Sequence, residues 1–125
     1  YHLTMIFVSH DMSVIRHISD RIIVMYLGQI MEIAPKKELF DHTLHPYSQA
    51  LMSAIPIADP EKQRARIPLA GEIPSPLNAP PGCPFAGRCA KAKEICHRQK
   101  PGLRHTSKQH FVACHLFQEG CEELP

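Results

Sequence analysis

Between Ile55 and Pro81 the chain carries seven prolines: Pro56, Pro60, Pro68, Pro74, Pro76, Pro80 and Pro81. Each fixes φ and removes a backbone donor, so neither a long helix nor a central strand can run here. This divides the 125 residues into segment 1–55, a Pro-rich arm 56–82 and segment 83–125. The composition shifts from Ile55, which places a boundary between about Ala54 and Pro68. Within the arm, Glu61 to Arg66 has the composition for a helical turn or two, and Ile67 to Gly82 reads as extended chain laid over a surface.

The first segment reads as α/β. Met5, Ile6, Phe7 and Val8 form the apolar, partly β-branched run of a strand buried on both faces, and the pattern breaks at Ser9-His10-Asp11. Asp11 suits the cap of a following helix whose apolar face would be Met12, Ile15 and the Val14/Ile18 pair. A strand of this kind needs neighbouring strands and crossover helices, which would have to precede Tyr1. His10 then stands where a buried strand of an α/β sheet ends, a usual place to touch a ligand.

Arg21 to Leu27 is a second β-rich run, followed by a turn at Gly28-Gln29 and a run from Ile30 to Ala34, which together predict a hairpin. Pro35 suits the first turn of a short helix through Phe40. Pro46 suits the same place before a helix over Tyr47 to Ala54, with Tyr47, Ala50, Leu51 and Ala54 on one face.

A net charge of +2 with 21% charged residues gives no basic footprint for nucleic acid. No apolar run approaches the roughly 20 residues that span a bilayer. The five cysteines cluster late, as Cys83, Cys89, Cys96, Cys114 and Cys121, an odd number for a disulfide framework. With no secretory leader in view, they read as metal or cluster ligands in a reducing compartment. Ala90 to Ile95 is a candidate helical turn and Phe111 to Leu116 a short strand carrying Cys114.

The cysteine spacing, C-x5-C-x6-C-x17-C, matches neither the close pairs of zinc sites nor the ferredoxin run. It supports a metal centre without naming the metal. Cys83, Cys89, Cys96 and Cys114 are the candidate four, because Cys121 sits among Glu119, Glu122 and Glu123, which would repel thiolate charge. His97 and His115, each beside a cysteine, could replace one ligand, or, as is more usual, only stand behind one. Arg88, Lys91 and Lys93 could offset thiolate charge or form a solvated basic turn. The alternative is cysteines packed as small hydrophobes. His10 could donate an imidazole N–H to an anionic ligand such as a terminal phosphate, or simply satisfy a strand end. His2, His17, His42, His45, His105 and His110 show no ligand spacing and read as surface or structural. Gly82 and Gly87 have phosphate-loop spacing, but Arg88-Cys89 follows and Pro84 removes an N–H, so no P-loop is present.

Taken together, I-F-V-S-H-D-M-S-V-I-R-H-I-S-D-R-I-I-V-M-Y-L-G-Q-I-M-E resembles the switch region of ABC transporter ATPases. H-P-Y-S-Q-A-L-M-S-A-I-P with G-E-I-P-S-P-L-N-A-P-P-G-C-P-F-A-G-R-C resembles the C-terminal extension of the oligopeptide/dipeptide importer subgroup. The likeness runs from about Leu3 to Leu116. It implies the C-terminal end of a P-loop ABC ATPase domain over 1–55, then the Pro-rich linker arm 56–82 and the Cys-rich, metal-ligated extension 83–125. It further implies that His10 contacts the γ-phosphate of ATP and positions the attacking water. The Walker A, Q-loop, C-loop, Walker B and catalytic glutamate would lie before Tyr1, so residues 1–125 alone should neither bind ATP usefully nor hydrolyse it.

The resemblance also implies ATP and Mg²⁺ as the parent's cofactors and a [4Fe–4S] cluster on Cys83, Cys89, Cys96 and Cys114, with zinc as the alternative. Ala79 stands where the family often has proline, which leaves those ligands untouched. Implied partners are a second ATPase subunit, two transmembrane permeases and, indirectly, a peptide-binding protein, with the subunit on the cytoplasmic face of the bacterial inner membrane. Two other readings stay open: a stand-alone iron–sulfur or zinc module, and the ATPase of a nickel importer.

Overall fold

The computed structural model describes residues 1–62, 64–107 and 109–118, and the backbone of 122–123. Cys121 lies outside the described residues. The elements are α1 (Met12–Ile18), β1 (Arg21–Tyr26), β2 (Gln29–Pro35), α2 (Lys36–Asp41), α3 (Pro46–Ser53), α4 (Glu94–Arg98), β3 (Arg104–Ser107), β4 (His110–Val112) and β5 (Glu122–Glu123). The strands form one antiparallel sheet in the order β1-β2-β4-β3-β5.

The predicted hairpin is there, with its turn one residue earlier than expected. Leu27 and Gly28 are the loop, at φ 47° and 73°, and Tyr26 pairs with Gln29. Positive φ at both central residues matches the right-handed twist of the flanking strands, which is why a glycine belongs there. β1 alternates cleanly, burying Ile22, Val24 and Tyr26. β2 does not: the register slips between Val24 and Met25, and the extra residue lets the neighbours Met31 and Glu32 both be buried.

The bulge serves two interiors. Ile22, Val24 and Ala34 pack with Leu39 of α2 and Met52 of α3. Tyr26 and Met31 pack instead with Cys83, Phe85, Ala86 and Cys96, from the far side of the proline stretch. β4 then docks on β2, pairing Glu32 with Val112 and Ile33 with Phe111, and Ala113 N–H donates to Met31 O at 2.9 Å. One sheet therefore draws strands from both segments flanking residues 56–82.

Several expectations need correction. Met5, Ile6, Phe7 and Val8 are not a buried strand: they are 82%, 95%, 56% and 90% exposed, and no described strand pairs with them. An extended segment becomes a strand only when a neighbour takes its backbone groups. All pairings among the described residues are antiparallel, so the parallel sheet inferred from that run is not seen. Helix α1 forms as expected, but Val14 and Ile18 are exposed and only Met12 and Ile15 pack inward. On α3 the buried residues are Ser48, Ala50 and Met52, while Ala54 lies outside the helix. The predicted turn at 90–95 is displaced to α4, and the predicted strand 111–116 ends at Val112, leaving Cys114 just beyond it. Among the described residues of 55–82 there are two three-residue 3₁₀ turns, Pro60–Lys62 and Pro76–Asn78, and the turn expected over Glu61 to Arg66 lies partly outside the described residues.

Among the described residues one carboxylate is buried. Glu32 is fully buried in the middle of β2. Its Oε1 accepts Leu44 N–H at 2.9 Å and lies 2.6 Å from His110 Nε2, and its Oε2 accepts His45 N–H at 3.1 Å. Those contacts tie β2, β4 and the entry to α3 at one point. Glu32→Gln would turn an amide toward donors and leave at least one of them without an acceptor. A loss of about 2–3 kcal/mol is expected, read as a lower urea midpoint with an unchanged slope.

Candidate functional site

His10 sits at the centre of a turn held from both sides. Ser9 Oγ accepts Asp11 N–H at 3.0 Å, and Asp11 Oδ1 accepts Ser13 and Val14 N–H at 2.9 and 3.3 Å. Asp11 is thus the helix cap its position predicted. The His10 side chain is exposed between the two.

The second feature is a pocket open on one side, about 310 Å³ with its mouth included, whose wall contains Cys83, Cys89, Cys96 and Cys114 together. Each arrives on different local structure. Cys83 opens a turn that leads into the 3₁₀ segment Ala86–Arg88, Cys89 closes that segment, Cys96 lies on α4, and Cys114 follows β4. The closest backbone approach joins the first and third: Cys83 N–H donates to Cys96 O at 2.7 Å. Gly82 permits it, because a Cβ there would stand 2.1 Å from Cys96 O, closer than any side chain can.

All four cysteines are free thiols. Burial, and after it charge on neighbouring cysteines, pushes Cys83, Cys89 and Cys114 up, Cys114 to about 11. Backbone N–H groups act the other way: Phe85 and Ala86 on Cys83, Lys91 on Cys89, and Leu116 on Cys114. Lys93 N–H donates to Cys96 Sγ at 3.3 Å. Every sulfur thus faces a backbone donor, an arrangement suited to thiolates, in a setting that keeps thiols protonated until a cation compensates them. Among the described residues no group of three or more His, Cys, Asp or Glu is arranged to grip a metal ion. A single tetrahedral ion with bonds of about 2.3 Å would need sulfurs roughly 3.8 Å apart.

Of the two histidines proposed as substitute ligands, His115 lines the pocket, while His97 is exposed and outside its wall. Lys91 also lines the pocket. Arg88 turns elsewhere: its Nε donates to Ala70 O at 3.2 Å and its Nη1 lies 3.4 Å from the Tyr26 hydroxyl, tying the proline stretch to the hairpin.

His45, read from the sequence as surface or structural, is structural, while Phe85, Glu32 and the packing role of Gly82 were not foreseen. His45 caps α3, its Nδ1 accepting Tyr47 N–H at 3.0 Å, and it lines the cysteine pocket. Phe85 stacks its ring against Tyr26, Tyr47 and His45 with centroids 5.4, 5.3 and 5.9 Å away. The H-P-Y triplet thus supplies a cap, a first-turn proline and an aromatic wall. The available signals were a lone glutamate inside an apolar strand and a phenylalanine between cysteines.

With this geometry in place, the comparisons with known proteins agree on a class. The family pattern described as "Oligopeptide/dipeptide transporter, C-terminal region" matches residues 31–96, more than half of the chain, and the chain belongs to that family. The oligopeptide transport ATP-binding protein AppF of Bacillus subtilis (strain 168) is 53% identical over 119 residues, 94% of this chain and 36% of the relative. OppF of Haemophilus influenzae, also an oligopeptide transport ATP-binding protein, is 50% identical over 114 residues, 90% of this chain and 34% of the relative. The chain thus spans about a third of the length of these curated relatives.

Burial lowers the His45 pKa from 6.5 to about 4, against smaller upward pulls from Glu32 and from a bond to the Ala113 backbone. Because the folded value lies below the unfolded one, the unfolded chain takes up this proton first as pH falls. The stabilisation is complete above about pH 6.5 and drains away between 6.5 and 4, on the order of 3 kcal/mol in all. Urea melts of metal-free protein at stepped pH should show that slope, and His45→Gln should flatten it.

Proposed function

We propose that this chain is the C-terminal part of the ATP-hydrolysing subunit of an ABC importer of oligopeptides or dipeptides. The observation that carries the reading is the likeness to oligopeptide transport ATP-binding proteins across 94% of the chain, His10 turn and cysteine pocket included. Phosphate loop, Mg²⁺ ligands and catalytic carboxylate come from other parts of the parent subunit, so the activity belongs to the whole.

In this reading His10 contacts the γ-phosphate. The Ser9 and Asp11 bonds fix the backbone on either side of it, so the imidazole can present an N–H to a phosphate oxygen and hold the attacking water in line. Asp11 is committed to the helix N–H groups and acts as a cap. The partners are a second ATPase subunit, transmembrane permeases and a peptide-binding protein. No described helix is long and apolar enough to cross a membrane, in keeping with a subunit that reaches the bilayer through permeases. Residues 56–82, pinned at Ser53 and Arg88 through Ile67 N–H and Ala70 O, form an arm that packs on the paired ATPase.

The pocket holds a [4Fe–4S] cluster on Cys83, Cys89, Cys96 and Cys114. The fit rests on four convergent sulfurs, each facing a backbone donor, a donor set of the kind iron–sulfur clusters use. When bound, such a cluster would supply a cross-link between segments, and a one-electron redox centre.

In the assembled transporter, His10→Ala is expected to lower ATP turnover by about 10²-fold or more while nucleotide binding persists. Turnover within about twofold of the parent would exclude the phosphate role. Anaerobically purified protein should carry iron and acid-labile sulfide in equal amounts and lose both on Cys89→Ser. Stoichiometric zinc, or no metal, would exclude the cluster.

A further inference from the structure

Resting on the proposed metal reading, we infer that the pocket carries a fifth donor atom, His115 Nδ1, as a spare ligand that can take the place of Cys114. Two histidines line the pocket, and they differ in what their ring nitrogens already do. His45 is spent: Nδ1 accepts Tyr47 N–H and the ring also bonds the Ala113 backbone. His115 is not. Its Nε2 lies 2.7 Å from the Gln99 carbonyl, which can only accept, so Nε2 carries the proton and Nδ1 presents a lone pair.

That Nδ1 is buried and meets no hydrogen-bond partner among the described residues. A buried acceptor without a partner is unfavourable, and native structures retain few of them without a reason. Here the atom belongs to a residue in the wall of a pocket with four sulfurs, directly after one of them in the chain. A neutral imidazole with one nitrogen anchored on a backbone carbonyl is the usual state of a metal-binding histidine. Imidazole also serves iron–sulfur irons beside thiolates.

Cys114 is the cysteine it would replace. Both residues sit on the short segment that leaves β4, and both line the pocket. The remaining three cysteines come from residues 83–96, which Gly82 and the Cys83–Cys96 backbone bond hold together. They would keep three of four bonds while the fourth passes between neighbours.

The test uses anaerobically purified protein and measures iron content with electron paramagnetic resonance after reduction. Cys114→Ala should retain most of its iron and show a directly bound nitrogen, whereas Cys83→Ala should lose its iron. Adding His115→Ala to Cys114→Ala should bring it to the Cys83→Ala level. A Cys114→Ala protein as empty as Cys83→Ala, or one indifferent to the second substitution, overturns the inference. Should Cys114→Ala fail to fold, His115→Ala alone decides. With all cysteines intact, its iron should pass to a chelator about tenfold faster than in the parent, and an unchanged rate overturns the inference. A parent protein without metal would overturn the cluster reading and this inference with it, whereas a loaded parent with an empty, folded Cys114→Ala removes only the spare ligand.

Discussion

The buried carboxylate of Glu32 is the contact on which the rest of the structure depends. It sits on β2 at zero exposure, where a lone charge would be strongly unfavourable. What makes it tolerable is the set of donors around it, from the backbone of Leu44 and His45 and from His110 on β4. Removing any one element would strand the charge, so the hairpin, the loop before α3 and the strand that leads to Cys114 are obliged to meet. Hydrophobic packing alone is non-directional and would not fix that meeting point. A hydrogen-bonded carboxylate does, to within a few tenths of an ångström.

From that point the pocket follows. His45 turns from Glu32 to cap α3 and to touch Phe85, whose ring fills the space between Tyr26 and Tyr47. Phe85 lies two residues after Cys83 and four before Cys89, so seating it seats two sulfurs. Val112 and Ala113 continue the ladder on β2 and deliver Cys114. Electrostatically the result is a pocket in balance: burial favours neutral thiols, backbone N–H groups favour thiolates, and a bound cation would decide between them.

The other end of the chain shows a contrasting economy of contacts. The His10 turn is held by its neighbours in sequence, through the Ser9 and Asp11 side chains. The apolar residues before it have no such local solution. Met5 to Val8 remain exposed because a strand is defined by its neighbours, and no described strand lies beside them.

Local features were therefore legible in the sequence. The hairpin over 21–35, the Asp11 cap and the proline at the start of α3 rest on interactions a few residues long, which composition and spacing encode. Family resemblance was carried by the same short motifs. What only the tertiary structure decided are the contacts between residues far apart in the chain: the bulge that buries Met31 and Glu32 together, the pairing of β2 with β4, the seating of Phe85 against Tyr26, and the placing of His45 and His115, but not His97, in the pocket wall. Spacing cannot reveal these, because Glu32 and His110 are joined by a folded backbone and a shared need to satisfy a buried charge, neither of which is written in the residues between them.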